Sequence, residues 1–130
     1  MNAENYKALI VDDNERNLKL FKLIVESLGF QTVLASDGEE GIAKARQERP
    51  HLILMDIRMP VIDGIAAFEA LRSEEGTRDI PVIALTSYAM KGDRERFLEK
   101  GFADYISKPI DVDGFKKAVL AAIRNAGGNL

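Results

Sequence analysis

The chain predicts a doubly wound α/β domain built on a five-stranded parallel sheet with five flanking helices. Three observations lead there. Five short apolar runs, at 8–11, 31–35, 52–55, 81–85 and 103–107, alternate with stretches of helical character along 130 residues. Runs of four or five apolar residues closed by turn residues are strands buried on both faces, the habit of parallel sheets. The connections are short, and strand–helix–strand units of this kind close as right-handed crossovers that cover both sides of a sheet. Five such units suit the flavodoxin-like strand order 2-1-3-4-5.

The elements follow in chain order. "ALIV" (8–11) is the first strand. Asn14 caps the first helix, Glu15 places a negative charge in its first turn, and Gly29 follows its end. Leu18, Phe21, Val25 and Leu28 form its apolar stripe, with Leu20 and Ile24 expected to widen it. "QTVLA" (31–35) is the second strand, and a short Ala-rich helix spans about 39–48. "LILM" (52–55) runs into Asp56, and a second Ala-rich helix covers 64–73. "PVIAL" (81–85) leads into Thr86. The fourth helix, near 90–100, has Gly92 inside it and few apolar residues, so weak packing is expected. "ADYIS" (103–107) precedes Lys108, and the last helix, opened by Asp111 or Asp113, carries Phe115, Val119, Ala122 and Ile123 inward. One domain over 1–130 is expected, with its core at about 7–124 and a frayed tail at 125–130.

Composition narrows the task by exclusion. An apolar share of 46% and a charged share of 30% are those of a soluble globular protein. No apolar run approaches a membrane span and no secretory leader opens the chain, so a cytoplasmic, non-membrane protein is expected. Zero cysteines exclude disulfides and thiolate metal sites. A net charge of −3 gives no basic footprint for nucleic acid.

In open α/β sheets the working site lies beyond the carboxyl ends of the strands, where strand order reverses. There the first run ends in Asp12 and Asp13, the third in Asp56, the fourth in Thr86 and the fifth in Lys108. Strands 1 and 3 are neighbours in the expected order, so three carboxylates converge. At roughly 5 Å each pair repels by about 3 kcal/mol at an effective dielectric near 20. Such a cluster calls for a hard divalent cation, and all-oxygen ligation favours Mg²⁺. Lys108 then reads as a phosphate-pairing charge, Thr86 as a donor to a phosphoryl oxygen, and a carboxylate between them as a nucleophile.

"LIVDDN", "LILMDIRMPVIDG", "IALTSYA" and "YISKPI" together resemble the receiver domain of two-component response regulators, of the chemotaxis-type single-domain kind, over about Lys7 to Arg124. Each fragment closes its own predicted strand, and all four stand in the family's order and spacing. The resemblance implies that Asp56 accepts phosphate from a histidine kinase's phosphohistidine. It implies Asp13 as a direct Mg²⁺ ligand, Asp12 as acting mainly through metal-bound water, and the backbone carbonyl of Arg58 as a further ligand. Lys108 would contact the phosphoryl group and Thr86 would swing to it. Tyr105 falls at the switch-aromatic position, with a tyrosine packed against the last helix as the rival structural account. Pro109 falls where the family often holds a cis peptide, and Gly64 matches its glycine after the phosphorylated strand. Arg58 and Tyr88 flank the crevice at positions that tune phosphoryl lifetime.

The implied function is a phosphoacceptor signalling domain, not an enzyme beyond limited self-phosphorylation and autodephosphorylation. It would be a stand-alone regulator or phosphorelay carrier without an output domain, or else a receiver from a longer hybrid histidine kinase. Its implied partners are a histidine kinase or histidine phosphotransfer protein, and a downstream protein at the fourth-helix, fifth-strand, fifth-helix face. The state would be monomeric or a weak phosphorylation-dependent dimer. The charged run "KGDRERFLEK" reads equally as a solvated helix face and as part of that partner face. An aspartate-nucleophile phosphatase would need an acid two positions after the nucleophile, where Arg58 stands. A flavodoxin-like carrier would need a phosphate loop where "DDNERN" would repel the ligand. His51, the single histidine, precedes the third strand at the wrong end for the crevice and reads as surface.

Overall fold

The computed structural model describes residues 5–58, 63–87 and 89–127. Among them, strands and helices alternate: β1 (Lys7–Val11), α1 (Glu15–Ser27), β2 (Gln31–Ala35), α2 (Gly38–Glu48), β3 (Leu52–Asp56), α3 (Gly64–Arg72), β4 (Val82–Thr86), α4 (Asp93–Lys100), β5 (Asp104–Ser107) and α5 (Val112–Asn125). The strands form one sheet in the order β2-β1-β3-β4-β5, every pair parallel. Central β3 and β4 are buried at every position, while edge strands β2 and β5 are not. That gradient is why the uninterrupted apolar runs lie in the middle of the sheet.

Side chains alternate across the sheet and feed two cores. On one side Ala8, Ile10, Leu52, Leu54, Ile83 and Leu85 meet α1 and α5, with Phe21 stacked on Phe115 at 5.5 Å between ring centroids. On the other, Leu9, Val11, Ile53, Met55, Val82 and Ala84 meet α2, α3 and α4, where Phe68 stacks on Phe102 at 3.9 Å. No helix among the described residues is long and apolar enough to cross a membrane.

The helix caps act as their chemistry dictates. Asn14 accepts from the Arg16 and Asn17 N–H groups, Asp37 from Glu40, Asp63 from Ala66, and Asp111 from Gly114. Of the two candidates for opening α5, Asp111 is therefore the cap.

Three expectations are corrected. Leu20 does not widen the buried stripe of α1; it is 45% exposed, and Leu23 beside it is 69% exposed. Gly92 is not inside α4 but is its N-cap, at φ 85°, a left-handed conformation that glycine adopts without strain. The last helix passes the expected core boundary at 124: Asn125 is helical, and the Ala126 N–H still bonds the Ala122 and Ile123 carbonyls. The α4 helix itself buries only Phe97, in keeping with its composition.

Candidate functional site

The sheet register builds the site as a staircase. Val11 pairs with Met55, so Asp12 emerges one residue beyond β1 beside Asp56, the last residue of β3. Asp56 pairs with Leu85, which puts Thr86 one step further along β4. Thr86 pairs with Ser107, and Lys108 follows, its N–H donating to the Thr86 carbonyl at 2.7 Å. The peptide between Lys108 and Pro109 is cis. Behind β3, Gly64 begins α3 so close that a Cβ there would lie 2.4 Å from the Asp56 carbonyl oxygen. Only a residue without a side chain fits.

The carboxylates of Asp12, Asp13 and Asp56 each offer an oxygen within 4.8 Å of the others. They are not equivalent. Asp12 is fully buried and Asp56 is 5% exposed, whereas Asp13 lies open to solvent. The Asp12 carboxylate accepts from the Lys108 ammonium at 3.0 Å and from the Asn14 N–H at 2.9 Å. Lys108 stands 3.6 Å from Asp56, which also accepts the Arg58 N–H at 3.3 Å. Burial, then the charge of Asp12, push the Asp56 carboxyl up to about 6, against the pull of Lys108. Asp13 adds least to that push, as an exposed charge should. The equal three-way repulsion expected from sequence is therefore corrected to one dominant pair, Asp12 with Asp56.

Three converging carboxylate oxygens with no nitrogen or sulfur donor fit a hard cation of the Mg²⁺ type, which keeps waters and takes few protein ligands. The crevice they share with Lys108 is small, about 190 Å³, the scale of a phosphoryl group rather than a cofactor.

Thr86 is 3% exposed and Tyr105 7%. The Tyr105 ring packs against Phe97 of α4 at 4.8 Å, so the alternative of packing against the last helix does not hold. Burial pushes its phenol up, offset by nearby Arg96 and by a hydrogen bond with the Thr86 side chain. Arg58 is exposed at the rim, and Tyr88 lies outside the described residues. His51 is exposed, its Nδ1 accepting the Lys7 N–H. Two residues that sequence reasoning passed over, Asn17 and Ser87, also line the crevice. Ser87 follows Thr86 directly and Asn17 lies one turn into α1, so spacing from the motif was the available signal. Both also line a neighbouring hollow of about 560 Å³ that runs past Leu20 to Ile110.

Residues 8–120 match the family model described as the response regulator receiver domain. This chain belongs to that family. The receiver domain is 43% identical over 118 residues to the polar-differentiation response regulator DivK of Brucella anthropi, covering 91% of this chain and 96% of that protein. Among solved structures, it is similar to the receiver domain of a sensor histidine kinase from Pseudomonas aeruginosa PAO1, with a magnesium ion coordinated in its active-site cleft. That likeness has a TM-score of 0.83 and 36% identity, over 92% of this chain and 98% of that one. A receiver domain of a Syntrophus aciditrophicus signal transduction histidine kinase gives 0.84 and 32%, over 96% and 95%. Receiver domains are signalling modules that work between histidine kinases and downstream targets in two-component systems, and the phosphatase and electron-carrier readings are thereby set aside.

Proposed function

We propose that this receiver domain takes a phosphoryl group from a protein phosphohistidine onto Asp56. The observation that carries this is the pairing of a 5%-exposed carboxylate at a central strand end with a lysine ammonium 3.6 Å away. An Asp56 oxygen attacks phosphorus, the nitrogen–phosphorus bond breaks, and the imidazole leaves with its electron pair. Lys108 receives the charge of the arriving phosphoryl oxygens, and the Thr86 hydroxyl turns to donate to one of them. When bound by Asp12, Asp13, Asp56 and the Arg58 carbonyl, Mg²⁺ supplies positive charge beside those oxygens. Arg58, at the rim, sets access of water and thus phosphoryl lifetime, and Tyr88 is assigned the same role by the family resemblance alone.

The donor must approach over the surface beside the crevice. Exposed Leu20 and Leu23 on α1, with the hollow that opens into the acceptor site, supply an apolar footing for a protein that carries the histidine. The face of α4, β5 and α5 is left for a downstream partner. The likeness to DivK over 96% of that protein's length supports the response-regulator reading.

The test is labelling with acetyl phosphate and Mg²⁺, read by intact mass and peptide mapping. One phosphoryl group is expected, at Asp56, sensitive to hydroxylamine, and its transfer should require Mg²⁺. Undiminished labelling of Asp56→Asn would sink the assignment.

A further inference from the structure

Asp93 opens α4, and its carboxylate is nearly enclosed, with 13% of the side chain exposed. Three donors converge on it. Oδ2 accepts the Met90 N–H at 2.9 Å and the Tyr105 hydroxyl at 3.2 Å, while the Arg96 guanidinium pairs with Oδ1. Closing the turn before the helix needs only the first of these. The bond to Tyr105 does something else, because it joins α4 to β5.

The neighbours of Asp93 grip the same tyrosine. Arg94 donates to the Tyr105 carbonyl at 3.0 Å and pairs with Asp104 at 2.7 Å. Phe97 lies against its ring. One face of a two-turn helix thus holds Tyr105 by hydroxyl, carbonyl and ring.

The hydroxyl is also hydrogen-bonded to Thr86. A phenol has one proton to give, and a carboxylate can only accept. Tyr105 therefore donates to Asp93 and receives from the Thr86 hydroxyl, so the chain runs Thr86 to Tyr105 to Asp93 in a single direction. If Thr86 turns its proton toward a phosphoryl oxygen, Tyr105 loses a donor that it can do without. Its own proton keeps an acceptor. Without Asp93 that proton would be left unsatisfied in the interior, which favours rotation of the ring out to water.

We propose that Asp93 is a positioning residue for the switch: it holds Tyr105 inward in the unphosphorylated protein, coupling the first turn of α4 to the acceptor crevice. The proposal rests on the phosphoacceptor reading above. Whatever lets Tyr105 leave lowers the fraction of molecules ready for a phosphoryl group, and weakens binding of a phosphoryl mimic by that same fraction.

The experiment is titration of the full chain with beryllofluoride in excess Mg²⁺. The proteins are the parent, Asp93→Ala, Asp93→Asn, Tyr105→Phe and the double variant Asp93→Ala/Tyr105→Phe, each checked for folding by urea melt. Asp93→Ala should bind about fivefold more weakly, the equivalent of one net hydrogen bond. Asp93→Asn, which keeps an acceptor oxygen in place, should stay within about twofold of the parent. Tyr105→Phe has no phenol proton to satisfy and should stay inward and within about twofold of the parent, and Asp93→Ala should add nothing in that background. Parent affinity in folded Asp93→Ala would overturn the proposal. So would an undiminished effect in the Tyr105→Phe background, since Asp93 would then act only by closing the 90–93 turn. Should Asp93→Ala not fold, Asp93→Ser, whose shorter side chain can still accept the Met90 N–H, takes its place, and parent affinity in it overturns the proposal equally. Failure of the parent to bind the mimic is a separate outcome: it would remove the phosphoacceptor reading, and this proposal with it.

Discussion

On the phosphoacceptor reading Asp56 must be a carboxylate to act, yet its surroundings resist its being one. Its proton is held to about 6 in the folded protein against an ordinary 3.8. Between those values the folded state binds more protons than the unfolded chain, so its stability falls as pH rises. The penalty is absent below the lower value and complete above the higher one. Glu26, Glu48 and Glu74, held low by hydrogen bonds from Thr32, Lys7 and Arg46, act in the opposite sense at lower pH. The difference between parent and Asp56→Asn isolates the acceptor. In EDTA that difference should widen by about 1–3 kcal/mol in favour of Asp56→Asn from about pH 4 to about pH 7. Urea melts at several pH values check it, and a constant difference would mean that Lys108 fully neutralises the site. The identity of these residues was legible in the sequence because each closes an apolar run. Their inequality was not, because only packing decides that Asp12 is enclosed with Lys108 while Asp13 meets water.

At the scale of elements, α3 sets the acceptor's position by contact with its backbone. Alanine at Gly64 would push its Cβ against the Asp56 carbonyl and the Ile57 Cα, both main-chain atoms that have little room to yield. Gly64→Ala is expected to cost about 1–3 kcal/mol, the range for overpacking. It should also slow labelling of the folded protein, because the displaced atom belongs to the acceptor residue. Urea midpoints together with labelling rates would check both, and a stable, fully active variant would mean that α3 simply shifts. Strand and helix order was readable from hydrophobic period alone. Two details of the helices were not. Leu20 fits the apolar stripe of α1 by spacing yet falls outside it, since the pattern does not mark where the covering neighbours end. Gly92 looks like a helix interior by position, but its left-handed φ makes it a boundary.

Across the whole molecule, the acidic end of the sheet is a cost that a cation relieves. Mg²⁺ should therefore stabilise the folded chain by mass action, by about 2.7 kcal/mol at a hundred times its dissociation constant. Asp13→Ala, whose side chain is exposed and free of packing duties, should lose most of that gain while changing the metal-free melt by less than about 1 kcal/mol. Melts of both proteins with EDTA and with excess Mg²⁺ provide the comparison. Equal metal stabilisation in the two would show that Asp13 is not a ligand.

The bond between Lys108 and Asp12 spans 96 residues of chain. A parallel sheet gathers its strand ends at one edge only after nearly all the strands have been laid down. During synthesis, a ribosome-bound chain that has already emerged through β4 carries Asp12, Asp13, Asp56 and Thr86 but lacks the lysine. Such a nascent chain would offer a kinase the acidic end of a signal receiver without the ammonium that pairs with an arriving phosphoryl group. On the phosphoacceptor reading, competence to be signalled to arrives only with the last strand, which makes phosphorylation itself a report that the sheet has been completed.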